Sequence, residues 1–115
     1  MVYVMRHTSF FLTTAQIRNR SKTVTRRLSS RYKAGELRQP VVKQQGLKKG
    51  EHVEKIGGAI RLTDVRRERL DAITPDDCAR EGFPELTPAE FVAMFKRHNH
   101  CRRNRIVTRI QFEYV

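Results

Sequence analysis

The sequence predicts one α+β domain, a small sheet that curls toward a barrel and is flanked by short helices. Three observations lead there. Helix-start signatures recur at three places, shorter extended segments lie before and between them, and a cleanly alternating segment closes the chain. A length of 115 residues suits one compact domain and is too short for two, and a hydrophobic content of 38% allows only a small core.

The elements follow in order. "YVMRHTSFF" reads as a weak first strand. "LTTAQI" then offers Thr13 as a helix cap, Gln16 three residues on, and Leu12 facing Ile17 as a hydrophobic staple, predicting a short helix from Thr14 to Asn19. "ELRQPVV" reads as a strand whose Pro40 cannot donate a ladder bond, so it should lie at an edge or finish there. "KQQGLKKGEHVEKIGG" is a connection, with glycines at turns and Lys48 and Lys49 at its tip. "AIRLTDVRRERL" begins as an alternating strand at Ile60 and Leu62 and changes phase at Val65, which predicts a bulge or bend.

"ITPDDC" supplies Thr74 as cap, Pro75 at the first helical position, and Asp76 and Asp77 on the positive end of the helix dipole. That helix should run from Pro75 to Arg80 and stop at Gly82. "LTPAEF" pairs Thr87 with Glu90 as a capping box and Leu86 with Phe91 as a staple, ahead of a helix from Pro88 to His98. Phe91, Met94 and Phe95 form its core stripe. In "RIVTRIQFEYV", Ile106, Thr108, Ile110, Phe112 and Tyr114 face one way and Val107, Arg109, Gln111 and Glu113 the other, the pattern of a half-buried strand.

Charge narrows the function classes. The formal net charge is +12, and residues 1–50 hold twelve Lys and Arg against one acid, Glu36. Such clustering suits a polyanion, because basic side chains displace the counterions around phosphates. No basic amphipathic helix of useful length and no apolar run near the roughly 20 residues of a membrane span is present, so no membrane partner is expected. Cys78 and Cys101 fit no paired metal or redox spacing, and "MVYVMRHTSFFLTT" lacks a small-residue cleavage site. A cytoplasmic protein with reduced thiols is the expectation. His98, His100 and Cys101 in "HNHC" lie at a basic helix end and read as a polar turn, so neither a metal nor a cofactor is expected.

The excess charge peaks in "RNRSKTVTRRLSSRYK", residues 18–33, where Arg18, Arg20, Lys22, Arg26, Arg27, Arg31 and Lys33 alternate with hydroxyls and no acid intervenes. Structure brackets the segment on both sides, which argues against a loose tail. Arg and Lys grip phosphate oxygens, hydroxyls add hydrogen bonds, and Tyr32 can stack on a base.

The order of this segment also resembles the ASCH domain, a small β-barrel of the PUA-like superfamily. Relatives carry a Lys-Thr-x-Thr-x-Arg type segment after the first helix and a Lys-x-Gly-Asp turn before the next strand. This chain has Lys22-Thr23-Val24-Thr25-Arg26-Arg27 and then Lys33-Ala34-Gly35-Glu36, with Glu36 in place of Asp. "REGFPELTPAEFVAMF" resembles a further segment of the family, and the likeness spans residues 10–115.

The resemblance implies a PUA-like barrel with a cleft that binds nucleic acid, RNA above all. It also implies an alternative, an amidohydrolase acting on acetylated or otherwise modified cytidine. For that chemistry the family's catalytic residues fall on Lys22, Thr25 and Glu81. An amine crowded by Arg20, Arg26 and Arg27 loses its proton more readily and can serve a Thr hydroxyl as base, while Glu81 orients it. Lys22 and Thr25, three apart, need a turn to share a face. A third expectation is a protein-interaction module whose basic face meets an acidic partner.

Overall fold

The protein is described as a computed structural model covering residues 5–115. Its strands are β1 (Arg6–Ser9), β2 (Val24–Arg27), β3 (Leu37–Val41), β4 (Ile60–Arg69) and β5 (Ile106–Tyr114). They form one sheet in the order β1-β3-β4-β5-β2, with β1 parallel to β3 and the other neighbours antiparallel. Three helices, α1 (Thr14–Arg18), α2 (Pro75–Arg80) and α3 (Pro88–Asn99), lie between strands. Tyr3 and Val4 of the expected first strand fall outside the described residues.

The capping signatures hold for two helices. Thr74 accepts a hydrogen bond from the Asp77 amide, and Thr87 and Glu90 form a complete reciprocal box. The expectation fails at α1. The Thr13 side chain makes no cap bond, and Leu12 is 52% exposed while Ile17 is buried, so no staple forms. A 3-10 turn over Phe11–Thr13 leads into α1, and Thr14 instead donates its hydroxyl to the Phe10 carbonyl. Gln16 is drawn away to donate to the Gly82 carbonyl.

The phase change in β4 is a bulge between Leu62 and Asp64, and Thr63 uses its hydroxyl there to reach the Gln111 carbonyl. Pro40 does not lie on an edge strand, because β3 sits between β1 and β4. Its pairing to β4 is confined to Leu37 and Arg38, however, so Pro40 occupies a stretch where no ladder bond to β4 is needed.

Strand β5 is buried on both faces over much of its length, not on one. Ile110 and Phe112 join Phe10, Ile17, Ile56, Ile60 and Leu62 in one cluster. On the opposite face Val107 joins Leu70, Ile73, Cys78, Phe91 and Phe95 beneath α2 and α3. Helices covering the second face bury a strand whose sequence alternates as if one side met water.

The sheet is not closed into a barrel. Its terminal strands β1 and β2 do not pair; residues following β1 and residues of β2 instead wall a common cleft, with the Arg27 guanidinium 4.8 Å over the Phe10 ring. The gap in the curled sheet is where the site lies.

Gly82 ends α2 at φ +97°, and a Cβ there would approach Gln16 Cγ to 2.7 Å. Gly82→Ala should therefore cost roughly 1–3 kcal/mol, read as a lower urea midpoint at unchanged slope.

Candidate nucleic-acid interface

The site begins with a sequence conflict. Strands β2 and β5 pair with Arg26 opposite Arg109, and β4 adds Arg66 on the far side of Arg109. Like charges directly opposite on a sheet repel. The first turn of α2 resolves the conflict by placing Asp77 between them. Asp77 accepts from Arg26 at 2.6 Å and from Arg109 at 2.7 and 3.0 Å, and Glu68 takes a further bond from Arg26 at 3.1 Å. The Arg109 fork, then Arg26, hold the Asp77 carboxyl well below the usual carboxylate range against the opposing effect of burial.

One helical turn later Glu81 completes the arrangement. Its Oε2 accepts from Arg26 at 3.0 Å and its Oε1 from Lys22 Nζ at 2.7 Å, and its backbone carbonyl takes a second Lys22 bond at 2.8 Å. Lys22 and Glu81 are 2% and 3% exposed, and the Arg26 side chain is fully buried. The segment that carries Lys22 is fixed through its backbone. Lys22 N–H donates to the Gln16 carbonyl and Thr23 N–H to the Arg80 carbonyl, while the Tyr114 hydroxyl donates to the Lys22 carbonyl at 2.6 Å. Burial pushes the Tyr114 phenol up to about 12.

Burial pulls the Lys22 amine below the usual lysine range. Glu81 opposes this by charge and hydrogen bond, and Arg27 and Arg26 reinforce it. Two of the three hydrogen-bonding positions on Nζ are used by Glu81. Among the described residues nothing occupies the third.

That amine lies in the wall of a cleft of about 410 Å³. Thr25, Arg26, Arg27 and Glu81 line it together with the rings of Phe10, Phe11, Phe83, Phe91 and Phe95. Phe11 stands 62% exposed on its 3-10 turn, the most exposed of these rings. Arg27 donates from Nε to the Thr25 hydroxyl oxygen at 3.3 Å, and burial lowers its affinity for a proton. His98 and Asn99 also border the cleft. Among the described residues, no three His, Cys, Asp or Glu side chains gather to hold a metal.

The structure brings Lys22, Thr25 and Glu81 to one cleft, because residues 21–23 precede β2 and only Thr25 is on the strand. Arg26 and Arg27 line the same cleft, and the remaining sequence candidates are dispersed. Arg26 is enclosed by three carboxylates and serves to position Glu81. Arg31 and Tyr32 border a second groove that meets the cleft at Arg27, where Tyr32 lies beneath the Arg38 guanidinium at 4.6 Å. Arg18 pairs with Glu54 at the surface, Arg20 lies over the Tyr114 ring, and Lys33 is exposed and lines neither groove. Sequence reasoning missed Asp77, Arg109 and Phe11 as parts of the site.

A mixed, open, five-stranded sheet with a few short helices places the chain among small α+β folds. The particular fold is ASCH-like. It superposes on a crystal structure of an ASCH domain from Lactobacillus crispatus with a TM-score of 0.68 and 16% identity, over 95% of this chain and 78% of that one. A crystal structure of a DUF984-family protein from Enterococcus faecalis matches with a TM-score of 0.71 and 15% identity, over 100% of this chain and 82% of that one. No protein-family model and no curated protein matches the sequence. Among the described residues no helix is long and apolar enough to cross a membrane.

Asp77→Asn should be the most damaging single change in this network, costing about 3–5 kcal/mol, since it leaves two buried guanidinium groups short of counter-charge. The Asp77 carboxylate contributes fully above the ordinary carboxyl pKa of about 3.9 and loses its contribution as pH falls toward the depressed native value. Denaturant unfolding across acid pH should therefore show wild-type stability dropping and the Asn variant, already weak, dropping less.

Proposed function

We propose that this protein binds single-stranded nucleic acid by seating one unpaired base in the cleft between its sheet edges. The observation that carries the reading is the composition of that cleft. Aromatic rings line it together with a buried amine that has one unused position and the guanidinium of Arg27. A volume of about 410 Å³ lies in the range of small-ligand sites and admits a base or nucleoside, not a helix. Phe11 offers a stacking face at the rim, the unused Lys22 position donates to a base carbonyl, and Arg27 adds charge toward the backbone. The resemblance of the Lys-Thr-x-Thr segment to ASCH relatives favours RNA as the strand, and the free thiols of Cys78 and Cys101 suit the reducing cytoplasm as its setting.

Binding of a labelled oligoribonucleotide tests this. Affinity should fall steeply with salt, and Phe11→Ala should weaken it by roughly 1–3 kcal/mol, the usual worth of one stacked base. Equal affinity in wild type and variant would contradict a base in the cleft.

A second reading rests on the lowered proton affinity of Lys22. As a neutral amine it keeps both bonds to Glu81 and turns a lone pair to the cleft. The Thr25 hydroxyl then attacks an acetyl carbonyl on a modified cytidine while Lys22 takes its proton. Lys22 returns that proton to the departing amino group, and water releases acetate from Thr25. Ultraviolet monitoring of acetylated cytidine should detect turnover in wild type and none in Lys22→Ala; turnover that persists in the variant removes this reading.

A further inference from the structure

The second groove, about 240 Å³, is lined by Arg6, Arg27, Arg31 and Arg38 with Ser9, Ser29 and Tyr32, and no carboxylate lines it. Among the described residues, Arg6, Arg27 and Arg31 have no carboxylate within 4.0 Å; Glu36 alone pairs with Arg38, at 3.1 Å. Elsewhere in the molecule the buried arginines are matched by acids, as Arg26 and Arg109 are. Here four guanidinium groups converge nearly unmatched. Arg38 is 6% exposed, and its Nε has no hydrogen-bond partner although its other nitrogens reach Thr8, the Arg31 carbonyl and Glu36. Its guanidinium is fixed in place by Tyr32. A groove lined by four arginines, three of them without a carboxylate partner, suits an anionic oxygen.

The groove adjoins the cleft, since Ser9 and Arg27 line both. An anion held in it lies next to whatever fills the cleft. We propose that this groove is a phosphate subsite, holding the phosphate attached to the nucleoside whose base occupies the cleft. The ligand is thereby a nucleotide rather than a free nucleoside. Arg27 bridges the two halves, Arg6 and Arg31 close over the phosphate from the exposed side, and the Ser29 hydroxyl adds a donor. The phosphate belongs either to a strand or to a free nucleotide, and the chemistry of the subsite is the same for both. The inference rests on the base-binding reading above.

Calorimetric titration separates the two ideas. The probes are a cytidine nucleoside, its 5′-monophosphate, and a six-residue oligoribonucleotide, each against wild type, Arg6→Gln/Arg31→Gln and Phe11→Ala. Arg6 and Arg31 are exposed side chains, so the double variant should fold normally. We expect the phosphate-bearing probes to bind wild type at least tenfold more tightly than the nucleoside. The double variant should lose that advantage, lower the salt slope by about 1, and leave nucleoside affinity unchanged. Preference for the oligonucleotide over the monophosphate assigns the phosphate to a strand, and the reverse to a free nucleotide; either upholds the subsite. Tight binding of phosphate-bearing probes that Phe11→Ala weakens but the double variant does not would overturn the subsite and leave the base site standing. No binding of any probe, or loss in neither variant, would overturn both.

Discussion

The structure depends on one carboxylate set among cations. Asp77 enters between Arg26 and Arg109, two arginines that strand pairing forces opposite one another, and turns a repulsive cross-strand contact into a bridged one. Burying charges is expensive, and such a pairing is tolerated only where every partner is present and hydrogen-bonded. Here the geometry is close to complete, with Arg26 Nε the one nitrogen of that guanidinium lacking a partner.

From that fixed point the cleft follows. Asp77 lies in the first turn of α2 and Glu81 caps its C-terminus, its amide donating to the Asp77 carbonyl, so anchoring the first positions the second. Glu81 in turn draws Lys22 inward and binds it twice. Strands β1 and β2 do not pair, and residues at the two edges line one pocket where a closed barrel would have a seam. The proposed site therefore sits at the point where the topology is incomplete. Its cationic side spreads into the neighbouring groove through Arg27, which links an aromatic wall to a cluster of unmatched arginines.

Much of this was legible from residue patterns. Thr74, Thr87 and Glu90 announced their helices because a cap is a local hydrogen bond with a local signature. The bulge in β4 was visible as a phase change, one or two residues from where it falls. Lys22, Thr25 and Glu81 converged as the resemblance implied. What was hidden is non-local. Asp77 read as a dipole partner at a helix start, and nothing nearby in sequence reveals that two arginines wait for it across the sheet. Arg109 alternated onto what looked like a solvent face, which α2 covers. Thr13 carried the signature of a cap, yet Gln16 is drawn to Gly82 by tertiary packing. The run from Arg18 to Lys33 looked like a single cationic surface, but a chain that passes from helix to loop to strand distributes its side chains over several faces. Phe11 gave no signal beyond being apolar, because its exposure is a property of the turn that carries it.

The central claim is that Lys22 and Glu81 act as one buried unit. A double-mutant cycle in denaturant unfolding, with Lys22→Met, Glu81→Gln and the pair, measures that directly. Each single change should be severe and the pair markedly less than their sum, a coupling above about 2 kcal/mol. Additive effects, within about 0.5 kcal/mol, would mean that the amine and the carboxylate stand independently and that the cleft wall is not built as described.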